Sequence, residues 1–151
     1  MRLALDLKLP ADSRFLGATR KALAVYLREF GAPVPVIDDV ILAMDEACSN
    51  VLQHAYPHGH DNMLLLRADL QRDKILIEVE DEGVGFDIMT NRIRLGEDGH
   101  LAASGRGLEV MRRLMTTVEV ESPTPAGGTR LRLVRQLTSL GDQGARHPTR
   151  A

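Results

Sequence analysis

Three polar residues set four apart point to the chemistry of this chain. Glu46, Asn50 and His54 fall in the run Met44-Asp45-Glu46-Ala47-Cys48-Ser49-Asn50-Val51-Leu52-Gln53-His54-Ala55-Tyr56. That spacing stacks them along one stripe of a helix. A carboxylate can take the proton of an attacking hydroxyl, and a carboxamide oxygen can ligate a hard cation. Phosphate chemistry with magnesium needs such a pair. Alone, the pair is more often a solvated polar face. Three glycine-bearing segments downstream give it weight: Asp81-Glu82-Gly83-Val84-Gly85, Gly105-Arg106-Gly107-Leu108 and Gly127-Gly128-Thr129.

Each segment has its own logic. Asp81 shares the face of Ile75, Ile77 and Val79 by the period of two. A carboxylate aimed at the core needs a partner. It is either a turn aspartate at a strand end or a carboxylate presented to a ligand at the core's edge. Thr129 shares the inward side with Leu131 and Leu133 by the same parity. Gly105 and Gly107 open a helix whose free N–H groups and positive end favour an anion. Arg106 either adds a charge-assisted contact there or is an exposed surface arginine. The P-loop pattern is absent. His58 and His60 flank a glycine with no cysteine pair nearby, so zinc spacing is absent too. Neither a serine elbow nor a CxxC motif occurs.

Periodicity supplies the elements that must hold these residues. Leu3, Leu5, Leu7 and Leu9 alternate with polar residues, which predicts a half-buried strand over Arg2 to Leu9. Asp12 or Ser13 caps a helix with the stripe Leu16, Leu23, Tyr26/Leu27 and Phe30, and Gly31 stops it. Pro33 and Pro35 start a second helix, which ends near Tyr56-Pro57. It buries Ile37, Ile41, Met44, Cys48 and Val51 and leaves Glu46 and Asn50 on roughly the opposite side. Met63 to Leu70 and Lys74 to Asp81 read as a hairpin around Gln71-Arg72-Asp73. The stretch from Asp87 to Ser104 is too long for a turn and suits a lid. A helix from Gly105 to about Met115, a strand Thr117 to Glu121 and a strand Thr129 to Arg135 follow. Residues 1–137 form one domain by this reading, and the polar, aperiodic tail 138–151 is expected to be disordered.

Composition sets the outer bounds. A chain of 151 residues, 44% hydrophobic and 26% charged, suits one domain with a real core. With aromatics at 3%, that core must be aliphatic. The formal charge of −2 offers no basic field for nucleic acid. The single Cys48 excludes an internal disulfide. No apolar run approaches the ~20 residues that span a bilayer, and no signal pattern opens the chain. A cytoplasmic protein with neither nucleic-acid nor membrane partner is expected.

The order of the four segments carries a resemblance. Glu-x-x-x-Asn on a helix, Asp-x-Gly-x-Gly at a strand end, Gly-x-Gly-Leu after a lid and Gly-Gly-Thr in a strand resemble the ATP-binding domain shared by gyrase, Hsp90, histidine kinases and MutL. The likeness covers roughly Asp12 to Gln136. The runs Glu46-Ala47-Cys48-Ser49-Asn50-Val51-Leu52-Gln53-His54-Ala55-Tyr56 and Gly107-Leu108-Glu109-Val110-Met111-Arg112-Arg113-Leu114-Met115 look, more narrowly, like the bacterial anti-sigma-factor serine kinases. The resemblance implies an α/β two-layer sandwich of the Bergerat type: a mixed, mostly antiparallel sheet with three main helices on one face. Glu78, Glu80, Arg130 and Arg132 would lie on the other, partly solvated face.

It also implies roles. Asp81 would accept a hydrogen bond from the adenine amino group, with Thr129 supporting it directly or through water. Gly83 and Gly85 would let the backbone curve around the base. Gly105, Gly107 and Leu108 would present N–H groups to the phosphates of ATP, with Arg106 beside them. Asn50 would ligate Mg²⁺, and Glu46 would be the general base toward a serine hydroxyl. For His54, bracing the helix end against the sheet is the preferred reading. Relatives often carry Pro where Ile88 stands, so the lid's path can differ here.

The function implied is a serine/threonine protein kinase and anti-sigma factor. It would phosphorylate a STAS-type anti-sigma antagonist and sequester a sigma factor, with the unphosphorylated antagonist releasing sigma. Family members commonly act as homodimers. The alternatives are an ATP-binding switch protein, against which Glu46 argues, and a kinase of a stress-signalling scaffold that does not bind sigma. A sensor histidine kinase would need an upstream helical hairpin, and only about ten residues precede the first helix. Gyrase or Hsp90 roles need further domains.

Overall fold

The structure, a computed structural model, describes residues 3–55, 63–81, 105–121, 124–125 and 127–137. The chain opens on strand β1 (Leu3–Pro10) and a single 3-10 turn (Ser13–Phe15). Helices α1 (Leu16–Glu29) and α2 (Val34–Ala55) follow. The hairpin β2 (Met63–Leu70) and β3 (Lys74–Asp81) comes next. Helix α3 (Gly105–Leu114) and strands β4 (Thr117–Glu121) and β5 (Arg130–Gln136) complete it.

These boundaries follow from local chemistry. Asp12 is extended, and its carboxylate accepts the Arg14 backbone N–H at 2.9 Å, capping the turn that feeds α1. Gly31 stops α1 by taking φ +86°, the left-handed region that a side chain disfavours. Phe30 departs from the expected stripe: it is 49% exposed, because the chain turns away there and its ring only leans on Tyr26.

Among the described residues the five strands lie in the order β1-β2-β3-β5-β4. Each of the four pairings among the described residues is antiparallel. Register puts Leu7, Leu66, Val79, Leu131 and Val120 in one row across the sheet, and Leu5, Ala68, Ile77, Leu133 and Val118 in the next. The buried members of these rows share the core with α1, α2 and α3, so one face of the sheet is packed by helices. The other face carries the row Asp6, Arg67, Glu78, Arg132 and Glu119, in which charge alternates from strand to strand. Arg132 meets Glu78 at 3.2 Å, and Arg130 meets Glu80 and Glu121 at 3.1 Å each. The four charges expected on this face are there, as cross-strand pairs on a partly exposed surface.

Helix α2 shows where the periodic reading was too coarse. Its buried stripe is Ile37, Val40, Met44, Ala47, Cys48 and Val51, while Ile41 packs only at the core's edge. Burial pushes the Cys48 thiol up to about 12, so it stays neutral among its apolar neighbours. The side of α2 that bears Glu46 and Asn50 is not a solvated face. Asn50 is 6% exposed and Glu46 half-buried, because the N-terminal turn of α3 lies against them. Among the described residues no helix is long and apolar enough to cross a membrane.

Candidate nucleotide site

The described motif residues fall into two clusters, one at the end of the sheet and one between helices.

The sheet-end cluster centres on Asp81, the last residue of β3, which is 1% exposed. Its Oδ2 accepts the backbone N–H of Thr129 at 3.1 Å. Its own N–H donates to the Thr129 carbonyl at 3.0 Å. Thr129, itself buried, therefore holds both the backbone and the carboxylate of Asp81. Parity of two along β3 aims this carboxylate to the helix side, and the neighbouring strand supplies a donor at the level where its oxygen needs one. Asp81 is a buried acceptor of the Thr129 N–H at a strand end.

Gly128 makes this approach possible, and the sequence reading gave it no role of its own. A Cβ on Gly128 would stand 1.9 Å from the Asp81 carbonyl oxygen and 3.0 Å from its Oδ1. No side chain fits there without moving backbone. The Gly-Gly dipeptide before Thr129 was the available signal, but sequence could not say which glycine was pressed against what. Gly127 serves differently: its φ of +95° turns the chain, and its N–H donates to the Thr124 carbonyl at 2.8 Å.

The helix-helix cluster joins Glu46 and Asn50, one turn apart on α2, to Gly107 in the first turn of α3. A Cβ on Gly107 would lie 2.9 Å from Glu46 Oε2, 3.4 Å from Asn50 Oδ1 and 3.6 Å from Asn50 Nδ2. Bare backbone at the positive end of α3 thus lies beside both polar side chains, with less than a methyl group's space toward Glu46. The contact brings a carboxylate, a carboxamide and a helix N-terminus to one place, a setting that suits a bound polyphosphate. Gly105 begins α3, and Leu108, 6% exposed, roots its first turn in the core. The side chains of Arg106 and His54, the glycines Gly83 and Gly85, Ile88, the proposed lid over 87–104 and the tail 138–151 lie outside the described residues.

This layer order and strand order define an ATP-binding domain of the histidine-kinase type. A family model described as the histidine kinase-like ATPase domain matches residues 9–135, and the chain belongs to that family. It is 33% identical over 126 residues to the serine-protein kinase RsbW of Bacillus pumilus, covering 78% of each chain. It is 31% identical over 124 residues to RsbW of Bacillus subtilis, again covering 78% of each. Among solved structures, the RsbU and RsbW domains of Rv1364c from Mycobacterium tuberculosis share the fold at a TM-score of 0.63 and 22% identity. That match covers 89% of this chain and spans 32% of the other. The histidine kinase domain of a blue-light-activated kinase from Erythrobacter litoralis aligns at a TM-score of 0.54 over 83% of this chain and 60% of that one.

Proposed function

We propose that the chain is an ATP-dependent serine/threonine protein kinase and anti-sigma factor that works by partner switching. The observation that carries this reading is the convergence of Glu46, Asn50 and Gly107. Relatives named serine-protein kinases at about 30% identity support it.

In this reading Asp81, held by Thr129, accepts the adenine amino group. Gly83 and Gly85 make room for the base. The first-turn N–H groups of α3, from Gly105, Gly107 and Leu108, receive the phosphates, with Arg106 beside them. Glu46 takes the proton of the substrate serine as its oxygen bonds to the γ-phosphorus. The bond from that phosphorus to the β,γ-bridging oxygen breaks, and ADP leaves. Among the described residues no cluster of His, Cys, Asp or Glu is placed to hold a metal alone. The Asn50 carboxamide oxygen is a hard donor, and it would hold a Mg²⁺ ion that arrived with nucleotide. When bound, the ion neutralises charge on the phosphates.

The acceptor is a STAS-type antagonist with a serine at a helix start, where the helix end stabilises the phosphate and the added charge disrupts the docked face. The kinase then holds a sigma factor, in the cytoplasm and as a homodimer. The test uses purified chain, antagonist and sigma. Unphosphorylated antagonist should displace sigma, and ATP with Mg²⁺ should restore sigma binding over time. A stable complex of all three proteins would refute the switch. Phosphate on histidine or aspartate instead of serine would refute the kinase assignment.

A further inference from the structure

We infer that Arg135 is a positioning residue for the phosphate end of the site, acting through α2 and α3 without touching a ligand. This rests on the nucleotide reading above. Arg135 ends no motif and lies near the far end of β5 from Thr129. Its guanidinium nonetheless reaches two helices. Nη1 donates to the Leu114 carbonyl, the last residue of α3, and Nη2 lies 3.0 Å from Asp39 Oδ2 near the start of α2. A planar fork can hold a carbonyl and a carboxylate at once, which a lysine ammonium on a flexible stem does less well.

The two helices are thereby closed at both ends. At one end Arg135 links Asp39 to Leu114. At the other, Gly107 abuts Glu46 and Asn50. From Asp39 to Glu46 and from Leu114 back to Gly107 is seven residues in each helix, a rise of about 10 Å at ~1.5 Å per residue. The spans match, so the axial register set at Arg135 is the register delivered at Glu46. A slip of one residue would displace Gly107 by about 1.5 Å, the length of a C–C bond, at a place where there is no room even for a Cβ beside Glu46. Just beyond the C-terminal end of α3 the chain is also moored to β5: Thr116 N–H donates to the Val134 carbonyl at 2.7 Å, and Thr116 Oγ1 accepts the Gln136 N–H at 2.9 Å. Arg135 is the element of this mooring that also engages α2.

The experiment compares wild type with Arg135→Met, Arg135→Lys and Asp39→Asn by two independent readouts. The first is amide hydrogen exchange without nucleotide. In Arg135→Met, exchange over 107–111 should quicken at least about fivefold while 131–133 in β5 stays unchanged, since local opening follows local contacts. The second is calorimetry with ATP plus Mg²⁺ and with adenosine. Affinity for ATP should fall about tenfold while that for adenosine, read at Asp81, stays within about twofold. Arg135→Lys should recover part of the loss. Asp39→Asn should shift both readouts the same way, and it serves alone if Arg135→Met fails to fold. Equal loss of ATP and adenosine, or exchange that quickens throughout the sheet, would overturn the inference and leave Arg135 a general stabiliser. Wild-type protein that bound no ATP would refute the nucleotide reading instead, and the exchange result would then decide the clamp.

Discussion

The two ends of the candidate site are built on different principles. At the sheet end, Asp81 and Thr129 are locked by one backbone–backbone and one backbone–carboxylate hydrogen bond, and Gly128 leaves no spare volume. At the helix end, Glu46 and Asn50 meet α3 by side chains resting on a glycine, and Glu46 remains half-exposed. A sheet end cannot shift one residue without breaking its ladder, whereas packed helices slide at lower cost. The sheet end is therefore rigid. The helix end can adjust, which fits the phosphate-transfer role proposed for it.

Substitutions can break that contrast. The largest effect is expected on turnover at the adjustable end. Glu46→Gln should lower phosphoryl transfer by about 10²–10⁴-fold, because a carboxamide cannot accept the serine proton. Its ATP affinity should stay near wild type by calorimetry, and wild-type turnover would exclude a general base here.

Next comes a pair of matched methyl insertions. Gly128→Ala drives a Cβ into the Asp81 backbone, which its bonds to Thr129 prevent from retreating. Urea melts should show a loss of about 3 kcal/mol. Gly107→Ala instead meets the tip of the Glu46 side chain, which can rotate away. Its stability should change by less than about 1 kcal/mol, since alanine also favours a helix, while transfer falls. If Gly107→Ala proved the more destabilising, the contrast between rigid and adjustable ends would be wrong.

Asp81→Asn sharpens the rigid end alone. One acceptor oxygen becomes a donor, at a cost of about 1–3 kcal/mol, or roughly ten- to a hundredfold in affinity. ATP and adenosine should lose the same factor, because the lost bond is to the base. Unequal losses would mean that Asp81 also sets the phosphate end.

The smallest effect belongs to the charged outer face, away from both ends. Arg132→Gln should cost under about 1 kcal/mol by urea melts, since Arg132 and Glu78 pair at a partly solvated surface. Nucleotide affinity should not change. A change there would tie the outer face to the site.

Much of this was legible in the residues themselves. The hairpin Met63–Leu70 and Lys74–Asp81 was readable to the residue, because two apolar-rich runs of strand length flank a short polar turn. The inward aim of Asp81 follows from parity along the second of these runs. Stops such as Gly31 were readable because only glycine takes that backbone shape without strain. The order of the four motif segments, likewise, is a property of the chain alone.

Other features existed only once the chain was folded. Helical periodicity placed Glu46 and Asn50 away from the stripe of Met44 and Val51, but it could not reveal that α3 would cover them. That cover comes from a segment more than fifty residues downstream, and no local pattern reports a distant neighbour. Which of Gly127 and Gly128 abuts Asp81 was equally hidden, since it depends on how β5 registers against β3. The link from Arg135 to Asp39 and Leu114 joins three elements that are far apart in sequence. Periodicity decides which face a residue occupies; only packing decides what that face meets.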